Sequence, residues 1–269
     1  MTLYNVRYRT AWADMTGCDN VLLNDITVYH TPGIGVRATV CRDLTIDNVD
    51  YTPRRDKGRI FTAVADAFHL VNCDGAFVMR NCDVDGQGDD ALNVHGRYCR
   101  VDSLSDGGRR LYFKTSLGAA LKVAGESIWF VDETTMQRSK EYVIEWAGLV
   151  DGNLFAVHLS ESPGIEFNDR LFVESASLYP DVLIEHNRFG RANRARGILL
   201  TSPGKMDVRD NVFESSGTAI LVEGDLTYWY ESGAVRDLTI KDNYFDRCHT
   251  SQWGHSVIAF SPSPVPEDD

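Results

Sequence analysis

A six-residue pattern recurs along the chain and limits its architecture more than any other feature. It reads Val21-Leu22-Leu23-Asn24-Asp25-Ile26, Leu44-Thr45-Ile46-Asp47-Asn48-Val49 and Phe77-Val78-Met79-Arg80-Asn81-Cys82. After a long gap it returns as Val182-Leu183-Ile184-Glu185-His186-Asn187, Met206-Asp207-Val208-Arg209-Asp210-Asn211 and Leu238-Thr239-Ile240-Lys241-Asp242-Asn243. Each copy alternates like a short strand and runs into Asn or Asp, residues that tolerate left-handed turns. A second apolar strand follows each copy, at 33–37, 66–71, 90–95, 196–201, 218–223 and 256–260. Repeats of about two dozen residues with short strands and almost no helical periodicity predict a right-handed parallel β-helix, its coils stacked at roughly 4.8 Å. A β-propeller, which needs blades of about 40 residues, ranks second. Asn48 with Asn81, or Asn187 with Asn211 and Asn243, would then stack as hydrogen-bonded ladders.

The register is lost between Arg97 and Pro180. Strands at 110–114, 127–131, 141–147, 154–159 and 170–174, separated by glycine-containing turns such as Asp106-Gly107-Gly108, predict a small antiparallel β-barrel inserted into the helix. The fold expected is therefore all-β. Residues 1–96 and 181–262 form the two parts of the helix, 97–180 the barrel overhanging the same cleft, and 263–269 a disordered acidic tail. Neither end reads as a solenoid cap, and the N-terminus lacks the basic and apolar regions of a signal peptide. The chain is expected to be a fragment of a longer protein. The compartment is not fixed by this reading; it is periplasmic or extracellular if a longer precursor carries a leader.

The 269 residues carry 39 acidic against 27 basic side chains, a net charge of −12. That balance disfavours nucleic acid, anionic membranes and strongly anionic polysaccharides, whose binding draws on Lys and Arg. No apolar run reaches the roughly 18 residues of a membrane span. The six cysteines have no metal-ligand spacing; Cys18, Cys41 and Cys73 sit at equivalent places in successive repeats and read as a stack of small buried thiols, with disulfides open in an oxidising compartment.

The stretch that carries chemistry is Gly86-Gln87-Gly88-Asp89-Asp90-Ala91-Leu92-Asn93-Val94-His95-Gly96. Asp66-Ala67-Phe68-His69-Leu70 repeats its design, and Asp66 lies 24 residues before Asp90, one repeat. Stacking would place the two carboxylates about 5 Å apart with Asp89 beside them. Like charges that close disfavour joint ionisation, so one carboxyl can stay protonated. A protonated carboxyl beside an ionised one is what glycoside hydrolysis needs, the first to protonate the leaving oxygen and the second to activate water. The opposing reading is that aspartates after glycine merely form turns. His69 and Asn93 occupy equivalent outward positions, and Arg196 takes the place of Asp90 beyond the insertion, where it would bind sugar or pair with Asp90. His95, Glu223, Trp229 and Glu231 are further candidates for sugar contact. Neither a metal nor a cofactor is expected; a Ca²⁺-dependent lyase using the three aspartates is a distant option, because no basic catalyst stands out.

Asp66-Ala67-Phe68-His69 followed by Gly88-Asp89-Asp90-Ala91-Leu92-Asn93-Val94-His95-Gly96 resembles glycoside hydrolase family 110, the inverting α-1,3-galactosidases. The resemblance continues through Asn193-Arg194-Ala195-Arg196-Gly197-Ile198-Leu199 and Trp229-Tyr230-Glu231-Ser232-Gly233-Ala234-Val235. Polygalacturonases show a similar but looser pattern. The family resemblance implies Asp89 as general acid, Asp66 and Asp90 as the groups that position and deprotonate water, and His95, Arg196, Glu223, Trp229 and Glu231 as sugar contacts. The substrate implied is a galactose-containing oligosaccharide or polysaccharide. The family's proteins also carry N-terminal coils that this chain lacks. A non-catalytic carbohydrate-binding helix is the rival from another class.

Overall fold

Strand pairing settles the first alternative: the repeats pair in parallel, whereas propeller blades are antiparallel. The computed structural model describes residues 10–114, 124–166, 168, 170–191, 196–252, 254 and 256–266. The chain is all-β apart from two short 3₁₀ turns among these residues, and none of its helices is long and apolar enough to cross a membrane. It divides into two compact units, the first comprising Met1–His95, Pro180–Glu223 and Val235–Ser261, the second Gly96–Tyr179, Gly224–Ala234 and Pro262–Asp269.

In the first unit one parallel ladder runs through Asp19–Thr27, Arg42–Tyr51, Asp74–Arg80, Pro180–Glu185, Lys205–Arg209 and Asp237–Lys241. These strands contain the six-residue repeats. Leu44 lies beside Phe77, Phe77 beside Val182 and Val182 beside Met206, so the alternating apolar positions form one continuous buried row. Each large side chain taken fully out of water in that row contributes about 1.5–3 kcal/mol.

The fifth repeat position is left-handed in all six copies: Asp25, Asn48, Asn81, His186, Asp210 and Asp242 have φ between 52° and 57°. A backbone corner there redirects the chain into strands of two residues, Asp83–Val84, Arg188–Phe189, Val212–Phe213 and Tyr244–Phe245, which the sequence reading missed. Phe189, Phe213 and Phe245 stack along them with centroids 5.0 and 5.1 Å apart. The residues after the corner form the expected asparagine ladder. Asn187 Nδ2 donates to Asn211 Oδ1 and Asn211 Nδ2 to Asn243 Oδ1, both at 3.0 Å. Asn48 and Asn81 instead donate to Asp25 and Asp47 of the preceding repeat.

A second ladder carries the site. Its strands are Ala13–Thr16, Val36–Thr39, Phe68–Val71, Leu92–Arg97, Ile198–Thr201, Ile220–Val222 and Ile258–Phe260. Five of the predicted strands start two residues too early, at 66, 90, 196, 218 and 256, and the first starts three too early, at 33. Alternation had continued the strand back through alanine or glycine and, in the last copy, through Val257. The backbone at Ala67 and Ala91 does bond across the repeats, to Asp90 and Gly197, but Asp66 and Asp90 stand ahead of the regular strands. They therefore escape the inward face that Phe68 and Leu92 occupy, where an unpaired charge would be costly. Leu92 pairs with Ile198, so 74–95 and 180–201 are neighbouring repeats despite the long segment between them. Cys18, Cys41 and Cys73 stack in successive repeats as free thiols; the outer one is half-buried and the other two are buried.

The second unit holds an antiparallel sheet in the order Ser103–Ser105, Arg110–Lys114, Leu154–Leu159, Arg138–Asp151, Ser127–Val131, Phe172–Ser175, Cys99–Arg100. The sequence placed the second and fifth of these strands, and that at 154–159, residue for residue. Val101, Leu111, Phe113, Ile128, Phe130 and Val157 are among the residues of its own core. At the end of the described chain the Ser263 N–H donates to the Gly224 carbonyl and the Val265 N–H to the Glu133 carbonyl. The family-like residues Asn193, Arg194 and Ala195, and residues 267–269, lie outside the described residues.

Candidate active site

The loops that precede the second-ladder strands stack as the strands do, and this positions Asp89. Thr31, Ala63 and Gln87 form successive parallel bridges, and the Asp89 N–H donates to the Ala65 carbonyl at 3.3 Å. Gly86 takes the corner at φ 76°. At Gly88 the loops approach so closely that a side chain would run into the Val64 carbonyl. Glycine is needed there for space, immediately before the aspartates.

Asp66, Asp89 and Asp90 converge as the 24-residue spacing requires. One carboxylate oxygen from each lies within 4.8 Å of the others. Asp90 is fully buried, Asp66 is 7% exposed, and Asp89 is half-buried. The cluster is supported from two sides. Arg196, which precedes Ile198 as Asp90 precedes Leu92, grips Asp90 with two charge-assisted bonds, Nε to Oδ1 at 2.7 Å and Nη2 to Oδ2 at 2.9 Å. Its Nη1 lies 3.8 Å from Glu223 Oε2. On the other side His69 Nδ1 is 2.5 Å from Asp66 Oδ2, and the Asp90 N–H donates to Asp66 Oδ1 at 3.2 Å. Burial pushes the Asp90 carboxyl up to about 7; Arg196 opposes the rise, and Asp66 and Asp89 add to it.

Outward positions of the ladder carry the remaining candidates of the first unit. His69 lies beside Asn93 in register, and His95 is the next outward residue along the same strand. Asn93 and His95 are buried, and His95 Nε2 is 3.1 Å from His69 Nε2. Further along, the outward residues become apolar: Leu199, Leu221 and Ala259 form a small buried cluster. A cavity of about 150 Å³ lies over Leu221 and Ala259, bounded by Arg196, Glu223, Thr218 and Ser261. The sequence reading missed this apolar floor, although Ile198-Leu199-Leu200 and Ile220-Leu221-Val222 signal it by breaking the alternation. Trp229 and Glu231 belong to the second unit. Trp229 is exposed with its backbone N–H held by Asp225 at 2.7 Å, and Glu231 lies opposite Arg97 in an antiparallel strand pair.

The three carboxylates, one fully buried, one nearly so and one reachable from solvent, beside an arginine and two histidines, are suited to proton transfer. No family model matches the chain. It is 32% identical over 252 residues to α-1,3-galactosidase B of Bacteroides thetaiotaomicron, an alignment covering 91% of this chain and 41% of that protein. It is 36% identical over 260 residues to α-1,3-galactosidase B of Bacteroides fragilis, covering 90% and 43%. To α-1,3-galactosidase A of Shewanella woodyi it is 32% identical over 254 residues, covering 92% and 41%. The chain spans about two-fifths of the length of these relatives. Over nine-tenths of its own length it is similar to the α-1,3-galactosidases, the proteins its aspartate motifs resemble.

Proposed function

We propose that the chain carries the catalytic centre of an exo-acting glycoside hydrolase that removes terminal α-1,3-linked galactose. The convergence of Asp66, Asp89 and Asp90 carries this reading. Asp89, the most accessible of the three, is the general acid that protonates the leaving oxygen. Asp66, with Asp90 behind it, holds and deprotonates the attacking water. Arg196 and Glu223 bind sugar hydroxyls at the rim of the cavity, while Leu221 and Ala259 offer an apolar floor to the sugar ring. His69, Asn93 and His95 line the same ladder. Trp229 and Glu231 enter as sugar contacts on the resemblance alone.

The fold that goes with this reading is a parallel β-helix in coils of three strands, interrupted by a β-barrel at 97–180. The parallel ladders and the antiparallel sheet are what support it. Inversion rests on the family resemblance. A calcium-dependent lyase fits less well, because Arg196 already takes both Asp90 oxygens.

The test is galactose release from α-1,3-, α-1,4- and α-1,6-galactobiose and from polygalacturonate, with Asp89→Asn as control. Release from the α-1,3 disaccharide alone, abolished in the variant, is expected. Activity on polygalacturonate would favour the polygalacturonase-like rival. Sugar binding without turnover would leave a carbohydrate-binding module.

A further inference from the structure

The two histidines differ from the other candidates in the ladder, because their ring nitrogens are aimed at each other and at Asp66. Asp66 Oδ1 already accepts the Asp90 N–H, and Oδ2 meets His69 Nδ1 at 2.5 Å. An ionised carboxylate only accepts, so a proton in that short contact belongs on Nδ1. A neutral His69 carrying Nδ1–H has a lone pair on Nε2. His95 Nε2 lies 3.1 Å from that lone pair, with the rings edge-on at 87° and their centroids 5.0 Å apart. Only one proton fits between the two nitrogens, and when His69 is neutral with its proton on Nδ1 it is His95 that supplies it. Asp66 and His95 are both more than nine-tenths buried, so water competes little for these bonds.

We propose that His95 is a positioning residue for the Asp66 base: its Nε2–H fixes His69 in the Nδ1–H tautomer, and His69 in turn holds Asp66 as the carboxylate. The proposal rests on the reading of Asp66 as the group that deprotonates water. Without the donor at position 95, His69 is free to carry its proton on Nε2 and present a bare Nδ1 to Asp66. Asp66 then keeps the contact only by taking a proton itself, and an already protonated carboxyl is no base. The two buried aspartates are thus held by different means, Asp90 by the Arg196 charge and Asp66 by a neutral imidazole.

Arg37 lies beside His69 on the preceding strand, but it is paired with Asp14. Arg196 is engaged with Asp90 and Glu223. Doubly protonating the histidine pair puts a proton on both Nε2 atoms and breaks their bond. The acid limb of the pH profile therefore depends on the pair as well as on the carboxylates.

The experiment joins long-range ¹H–¹⁵N NMR of the histidine rings, without substrate, to kinetics of His95→Phe and His95→Gln on α-1,3-galactobiose. The expected spectrum shows His69 protonated at Nδ1 and His95 at Nε2. His95→Phe should lose the fixed His69 tautomer, lower kcat roughly tenfold or more with KM changed less than about twofold, and move the acid limb. His95→Gln, whose amide can donate from the same place, should recover most of kcat. A wild-type His69 protonated at Nε2, or a His95→Phe variant with the wild-type tautomer and pH profile, overturns the proposal. Wild-type protein with the expected tautomers but no turnover of any galactoside contradicts the hydrolase reading, and with it the catalytic part of this one.

Discussion

Arg196 and Asp90 are 106 residues apart and share two hydrogen bonds of 2.7 and 2.9 Å, because each stands two residues ahead of its strand in adjacent repeats. Asp90 is fully buried, and Arg196 is the cation gripping it. Removing one partner of such a pair leaves an uncompensated charge, which typically costs about 3–5 kcal/mol. Arg196→Met should therefore lower stability by that order and abolish activity. Adding Asp90→Asn to it should restore part of the stability and none of the activity. Urea denaturation of the two variants measures this, and equal stabilities would contradict it.

Burial raises Asp90 from 3.8 in the unfolded chain to about 7 in the native state. Between about pH 4 and 7 the unfolded chain releases this proton and the native state keeps it, so the group's contribution makes stability fall as pH rises through that window and level off above it. Asp90→Asn lacks the titration. Its stability relative to wild type should rise from pH 4.5 to pH 7.5, whatever its offset. A difference independent of pH, or of opposite slope, would show that Arg196 outweighs burial.

Asp89 is half-buried and the most accessible of the three carboxylates, so its loss should separate activity from stability. Asp89→Asn should cost 10²–10⁴-fold in kcat, the usual range for a positioned proton donor, and change stability by less than about 1 kcal/mol. With an aryl galactoside whose leaving group needs no proton, the loss should shrink markedly. An equal loss on both substrates would contradict a general-acid role.

The asparagine ladder allows a structural test distant from the chemistry. Asn211 Oδ1 accepts from the Asn187 N–H and Nδ2, and its own Nδ2 donates to Ile184, Arg209 and Asn243. Asn211→Ala leaves buried groups of two neighbouring repeats without partners, at about 1–3 kcal/mol for each group that stays unsatisfied. We expect a loss of about 2–4 kcal/mol with kcat unchanged in the folded fraction, measured by denaturation and active-site titration.

Much of this arrangement was legible because the chain repeats. Alternation located the buried rows, and Asp or Asn marked five of the six left-handed corners; His186, a weaker left-handed former, turns the sixth. The 24-residue offset brought Asp66 to Asp90, and the equivalence of Arg196 with Asp90 carried across the long insertion. Strands of two residues, such as Val212–Phe213, are too short to hold a period and were not read. The early strand starts arose because alternation continues through Ala67 and Ala91 although the chain has already turned. Register put His69 opposite Asn93, but the bond to His95 is diagonal and depends on side-chain reach rather than position.

The most direct measurement is an NMR time course of α-1,3-galactobiose hydrolysis that records which anomer of galactose appears first. The account predicts turnover with β-galactose as the initial product and α-galactose only after mutarotation. Initial α-galactose would make the enzyme retaining and overturn the inverting assignment. No galactose from the purified, folded chain would contradict the claim that Asp66, Asp89 and Asp90 form a working catalytic centre.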